Sequence, residues 1–199
     1  MGDKRRYHHG DLRAALVEAA LALIAERGVE ALSVAEAARR TGVSAAAPYR
    51  HFPTRLDLLR ATATRAAQLL SADLDTALTS TEPAARLGEA AATYVRFVIR
   101  HHAGLDLFFA EQLRDGDADL GTAGRAVMDH LLPIALELTG DPHAALDLLE
   151  QLTAAAHGFA VLHLSGFLRT RAPSVDDIAE KAAGLARALA TAARQRRTS

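Results

Sequence analysis

Nine histidines and twenty-four acidic residues give this chain of 199 residues ample material for acid–base or metal chemistry, so their spacing is tested first. A zinc hydrolase of the HExxH type needs two histidines one helical turn apart, because only that spacing puts both imidazoles on one helix face. His101, His102, Glu111, His130, His157 and His163 do not form it. His8, His9 and Asp11 are close in sequence, but neighbouring residues at a helix start diverge. "DGDADLG" places Asp115, Asp117 and Asp119 at calcium-loop spacing; Leu120 then stands where the loop requires glycine, and Ala126 where it requires a bidentate glutamate. There are no cysteines, which excludes disulfides and thiolate sites. No catalytic residue, metal site or cofactor is expected. A helical enzyme or metal-binding protein using the histidine-rich C-terminal half is kept as the alternative reading. His157 stands apart, on a mostly apolar helix face with Val161 and Leu164. A buried imidazole needs a hydrogen-bond partner, which either the protein or a ligand supplies.

The elements that must position these side chains are helices. Half of the residues are hydrophobic and alanine dominates that half; helix formers at this density, with few β-branched runs, indicate an all-α protein. The charged start "MGDKRRYHHGDLR" has no apolar segment of signal-peptide type, Arg6 stands where a myristoylation signal has Ser or Thr, and no apolar run is long enough to span a membrane. With the missing cysteines, this points to the cytoplasm. Net charge is −1, unevenly placed: residues 1–60 carry ten Lys/Arg against seven Asp/Glu, and residues 61–199 carry thirteen against seventeen. The basic side of that asymmetry is a weak sign of an anionic partner.

The apolar positions Leu12, Leu16, Ala19 and Leu23 mark a first helix, with Gly28 as its stop. Ser33 and Glu36 form a capping box for a second, which Gly42 ends. Ser44 can cap a third only two residues later. Helix, glycine turn and helix, after a longer helix, is the pattern of a helix-turn-helix. "TGVSAAAPYRHF" is bare for a helix that reads DNA. Pro48 falls on its fourth residue, where a missing N–H costs less than it would mid-helix.

The remainder divides at its punctuation. A long helix is expected over 54–79, another from "STEPA" with Leu87, Ala91, Tyr94 and Val98 on its stripe, and a short apolar one with Leu107, Phe108, Phe109 and Leu113. Val127, Leu131, Ile134 and Leu138 mark the next, with a kink at Pro133. Asp141 as N-cap and Pro142 at the first position begin a helix expected to reach about Arg169, and Ser174 caps the last. Leu146, Leu149, Thr153, Ala156, Ala160, His163 and Phe167 form one stripe of the penultimate helix; Val175, Ile178, Ala182, Leu185 and Leu189 repeat the spacing in the final one. A second stripe, Leu148 to Leu162, adjoins the first. A helix apolar on more than one side is central in the monomer or packs against a second copy.

"LSVAEAARRTGVSAAAPYRHFPTRLDLL" resembles the DNA-binding region of TetR-family transcriptional regulators from about Tyr7 to Leu59, with Gly42, Val43, Ser44, Tyr49, His51, Phe52 and Leu58 at the family's spacing. "AHGFAVLHLSG" at 156–166 is similar to the WHG-type C-terminal domain, with Ala156 in place of its tryptophan. The resemblance implies a DNA-binding domain over 1–53, a ligand-binding and dimerisation domain over 54–199, and about nine helices. It implies a homodimer through the last two helices, a palindromic operator, and repression relieved by a small molecule. Ser44, Tyr49, His51 and Arg55 would meet phosphates, with Ser33 at the same surface. Ala45 and Ala46 would face bases, their methyls against thymine methyls, leaving Arg39, Arg40, Arg50 and DNA shape to supply specificity. Lys4, Arg5 and Arg6 are either an arm reaching a neighbouring groove or a solvated tail. The dimer would use Leu149, Ala156, Ala160, His163, Phe167, Ile178 and Leu185. An apolar effector would be lined by Tyr94, Phe97, Phe108, Phe109, Met128 and Leu131, with Gln112 and His157 as polar anchors, in the irregular packing of short helices between about 84 and 139.

Overall fold

The computed structural model describes residues 9–102, 118–168, 170 and 174–198. Among them are seven α-helices, two 3-10 turns and no strand. The helices are α1 (His9–Arg27), α2 (Val34–Thr41), α3 (Arg55–Ala77), α4 (Pro83–His101), α5 (Ala118–Thr139), α6 (Pro142–Leu164) and α7 (Val175–Thr198). The 3-10 turns are Val29–Ala31 and Pro48–Arg50. The short apolar helix expected around Phe108 lies outside the described residues.

Local sequence sets most of the helix ends. Gly28 follows α1 at φ 80° and returns its N–H to the Ile24 carbonyl at 2.8 Å. At α2 the Ser33 hydroxyl accepts the Glu36 N–H at 3.1 Å, which is half of the expected capping box. The reciprocal half is lost, because the Glu36 carboxylate turns to Arg39 instead. Full boxes close α3 and α7: Thr54 exchanges hydrogen bonds with Asp57, and Ser174 with Asp177. The Asp177 carboxyl is held below its usual range by those bonds from Ser174. Asp141 caps α6 by accepting the Ala144 N–H at 2.8 Å, with Pro142 in the first position.

Three expectations are corrected. Residues 44–52 are not an α-helix but a turn followed by one 3-10 turn, held by bonds from Ala47 N–H to Ser44 and from His51 N–H to Pro48. Pro48 offers no N–H to the Ser44 carbonyl, so the tighter i→i+3 pattern takes over. α6 ends at Leu164 rather than near Arg169, because Gly166 enters the left-handed region at φ 82°. The helices between 84 and 139 are not short: α4 has 19 residues and α5 has 22, and Pro133 lies inside a helix that continues to Thr139.

Two compact units can be told apart: the first runs to Ala66 within α3 and also takes in the described residues from His101 to Leu120, and the second holds Ala67–Arg100 and the residues from Gly121 on. In the first unit Leu16, Leu23, Ile24, Leu32, Phe52 and Leu58 are completely or almost completely buried. In the second, α4, α6 and α7 pack through small residues, with Ala145, Ala160, Ala179, Ala183 and Ala190 buried among Leu148, Leu152 and Ile178. At Gly88 a Cβ would lie 2.9 Å from the Arg187 side chain and 3.2 Å from the Ala183 carbonyl, so α4 approaches α7 where no side chain intervenes.

Candidate nucleic-acid interface and effector cavity

In the first unit, α2 and the Pro48–Arg50 turn are joined by a sharp reversal at Gly42. Its φ of 71° is a left-handed conformation that costs a glycine nothing and a residue with a Cβ about 1–2 kcal/mol. Gly42 N–H returns to Arg39 and Val43 N–H to Ala38, a double bond pattern that closes the helix end. Pro48 and Phe52 are buried and anchor the segment; Ser44, Ala45 and Ala46 are exposed before Pro48, Tyr49 and Arg50 are exposed after it, and His51 is half-buried. The Arg13 guanidinium lies over the Phe52 ring, 5.3 Å from its centre. An unhindered turn presenting two methyl groups, a phenol and a guanidinium can approach a groove closely.

The cations predicted for this surface are not equivalent. The Arg50 side chain makes no ion pair or hydrogen bond with any described residue. Arg39 is forked onto Glu36 at 2.9 and 2.7 Å yet leaves 69 % of its side chain exposed. Arg40 is forked onto Glu26 and only 19 % exposed. These arginines hold both carboxylates down, Glu36 to about 2 chiefly through Arg39 and Glu26 chiefly through Arg40. Arg55 gives its guanidinium to the carbonyls of Leu32 at 2.9 Å and Val29 at 2.8 Å, which ties the start of α3 to the 3-10 turn after α1. Ser33 spends its oxygen lone pair on the α2 cap. Lys4, Arg5 and Arg6 lie outside the described residues.

The second unit contains a cavity of about 50 Å³. Leu70 and Leu74 of α3, Leu87, Ala90, Ala91 and Tyr94 of α4, Val127 and Leu131 of α5, and Leu149, Leu152, Thr153 and Ala156 of α6 line it. Of the residues expected to bind an effector, Tyr94 and Leu131 are in this wall. Phe97 is fully buried elsewhere in the core, Met128 is exposed, and Phe108, Phe109 and Gln112 lie outside the described residues. His157 sits behind the wall: its Nδ1 is 3.2 Å from the Tyr94 hydroxyl, so the imidazole has an internal partner. On the other side Ser71 Oγ meets His130 Nε2 at 3.0 Å, joining α3 to α5 beside cavity-lining Leu70 and Leu131. Periodicity marks Leu87 and Leu149 only as stripe positions. It cannot separate a leucine facing a void from one facing another leucine. The cluster of alanines at 90, 91 and 156 was the available signal.

The residues expected at a dimer interface are divided by burial. Leu149, Ala156, Ala160 and Ile178 are inside the monomer, at 5 % exposure or less, and Leu149 and Ala156 belong to the cavity wall. They are excluded as free surface. Phe167 is 75 % and Leu185 39 % exposed, and Leu146, Val161, Leu162 and Leu164 join them on α6. His163 is partly buried, and its Nδ1 has no hydrogen-bond partner among the described residues.

Comparison with known proteins supplies the decisive observation. Residues 16–62 match the bacterial regulatory proteins of the tetR family, and residues 87–186 match the tetracyclin repressor-like C-terminal domain. The chain belongs to the TetR family. A Rhodococcus sp. RHA1 protein of unknown function has 31 % identity and a TM-score of 0.75, covering 93 % of this chain and 98 % of its own. A TetR-family transcriptional regulator from Streptomyces coelicolor shares the fold at 21 % identity, TM-score 0.71, with 96 % and 90 % covered. A TetR variant from Acinetobacter baumannii AYE, solved in complex with minocycline, shares it at 18 % identity, TM-score 0.63, with 98 % and 100 % covered. No curated protein matches the sequence. As a TetR-family transcriptional regulator the chain carries a helix-turn-helix DNA-binding domain and a ligand-binding C-terminal domain, and the enzyme and metal-protein alternative is set aside. No group of three or more potential metal ligands occurs among the described residues. The match at 87–186 is to the tetracyclin repressor-like domain; the WHG-type likeness gains no support.

Proposed function

We propose that this TetR-family regulator is a cytoplasmic homodimeric repressor that leaves a palindromic operator when a compact apolar molecule enters the second unit. The observation that carries the reading is the pairing of an exposed, cation-bearing turn in one unit with an apolar cavity in the other. Tyr49, His51 and Ser44 hold phosphates. Ala45 and Ala46 lie against base edges, and Arg50, free of carboxylate partners among the described residues, reads them. Arg55 braces the Val29–Ala31 turn with two of its five donors and offers the rest of its fork to a phosphate.

A second copy covers the exposed apolar residues of α6 and α7, from Leu146 to Leu185. Exposed apolar side chains of this size are costly in water when they gather on one face, and symmetric pairing relieves the cost. The cavity is far smaller than the ~300–1,000 Å³ of a typical ligand pocket. The effector therefore stabilises a state in which the walls have parted, and it shifts the equilibrium only by its greater affinity for that state. The Ser71–His130 hydrogen bond is one contact that parting must stretch. Among the described residues of the wall the polar side chains are Tyr94 and Thr153, so the occupant is largely hydrocarbon with one hydrogen-bonding end.

The reading is tested by selecting a duplex from a random pool, measuring its binding by fluorescence anisotropy, and screening apolar compounds by thermal shift with and without that duplex. Release of the duplex by a compound that raises the melting temperature supports it. A selected site without two-fold symmetry, or a chain that is monomeric in light scattering at micromolar concentration, would remove the dimeric repressor.

A further inference from the structure

Five charged groups on and beside α2 form one network. Glu36 Oε1 is 2.7 Å from Arg39 Nη2, 3.6 Å from Arg40 Nε and 3.8 Å from Arg27 Nη1. Glu26 holds Arg40 through two further contacts. Three cations of a DNA-binding unit thus share two of its own carboxylates in the free protein.

Their exposures separate them. Arg40 is enclosed at 19 %, while Arg39 is 69 % exposed although both Glu36 oxygens hold it. Removing Arg39 would not strand the carboxylate, because Arg27 and Arg40 remain within 3.8 Å. Arg39 is therefore the cation that Glu36 holds most closely and yet the most exposed of the three; Arg27, 57 % exposed, reaches the carboxylate only at 3.8 Å. In a helix-turn-helix the first helix crosses the phosphate backbone, and Arg39 lies in the last turn of that helix. A guanidinium fork that fits a carboxylate fits a phosphate equally well.

We propose that Glu36 is an intramolecular competitor for the DNA backbone: Arg39 is held by Glu36 in the free protein and is transferred to a phosphate on binding. Glu36 then sets affinity and salt dependence without touching DNA. It lowers non-specific binding most, because a non-specific complex has fewer other contacts to offset the exchange. This goes beyond the repressor reading and needs only that the chain bind duplex DNA.

The probe is a long mixed-sequence duplex, titrated by fluorescence anisotropy at several salt concentrations. Glu36→Gln keeps the α2 cap, which uses the Glu36 backbone N–H. It should bind the duplex about twofold to fivefold more tightly, the range an exposed ion pair allows. Arg39→Gln should weaken binding and flatten the salt slope by roughly one. In the Arg39→Gln background most of the Glu36→Gln gain should vanish. Glu18→Gln, which removes a carboxylate paired with Arg65 in the same unit, measures the general effect of charge and should gain less. An undiminished Glu36→Gln gain without Arg39, or a gain no larger than that of Glu18→Gln, overturns the proposal. A measurement on the unaltered protein stands beside these: the Arg39 Nε–Hε nuclear magnetic resonance signal should shift on saturation with the duplex, and an unmoved signal overturns the transfer. A chain that does not bind the duplex at low salt overturns the DNA-binding reading itself, and with it this one.

Discussion

The unit ending at Ala66 and the unit beginning at Ala67 bury their helices by different means. The first fills its interior with Leu16, Leu23, Ile24, Leu32, Phe52 and Leu58, large side chains whose places are fixed by closely spaced caps and glycine stops. The second brings long helices together through alanines, so backbones approach closely at Gly88 and Ala183. Alanine permits close approach but cannot fill space where helices diverge. The cavity beside Ala90, Ala91 and Ala156 is the result. A surface that must present a fixed turn to a groove needs the first kind of packing. A site that must open for a ligand uses the second, because parting small side chains costs little dispersion energy.

The largest test of this contrast is Phe52→Ala. Truncating a fully buried phenyl group should cost about 3–5 kcal/mol and abolish DNA binding. Hydrogen exchange should show α1 and α2 losing protection while α6 and α7 keep theirs; equal loss in both units would break the distinction.

Ala160→Glu and Val161→Glu sharpen it within one helix. Ala160 is fully buried, so a carboxylate there should prevent the second unit from folding. Val161 is 44 % exposed, so its variant should fold with unchanged circular dichroism and be monomeric in light scattering. A dimeric Val161→Glu protein would move the interface off this face.

Tyr49→Ala should then weaken binding to all duplexes alike by about tenfold or more, as loss of a charge-assisted hydrogen bond predicts. An effect confined to one operator sequence would make Tyr49 a base reader. Ala91→Val should raise thermal stability by a few tenths to about 1 kcal/mol by filling the cavity, and should blunt the response to an effector while sparing operator affinity. An unblunted response would place the effector elsewhere.

The smallest effect is on pH. Glu36 is about 2 in the folded chain against an ordinary 4.5, so its pairing stabilises fully above 4.5 and the contribution is lost as pH falls from there through 2. Acid unfolding of Glu36→Gln should run parallel to wild type above pH 4.5 and be less steep below it.

The helix-turn-helix was legible because its signals are local. Gly28, Ser33 and Gly42 act within a few residues of themselves, and each ends or starts a helix where its chemistry requires, as Asp141 does for α6 outside that motif. Pro48 was legible as an obstacle but not in its consequence, since the choice between an α-turn and a 3-10 turn depends on Pro48 and Phe52 both being buried. The stripes on α6 and α7 misled for a related reason. Leu146 and Leu149 share a stripe, yet one is 49 % exposed and the other 5 %. A three-four spacing defines a broad face, and only the neighbouring helices decide which edge of it is covered.

The sequence by itself determined that the chain is helical, where most helices begin and end, and that its first part carries a helix-turn-helix, because caps, glycines and helical periodicity act over a few residues. Tertiary structure alone decided which apolar residues enclose the cavity, that Tyr94 satisfies His157, that Arg55 braces a turn, and that Glu36 holds Arg39 rather than its own helix cap. Those outcomes depend on distances between groups that compete for the same partner, and such competition is settled in three dimensions.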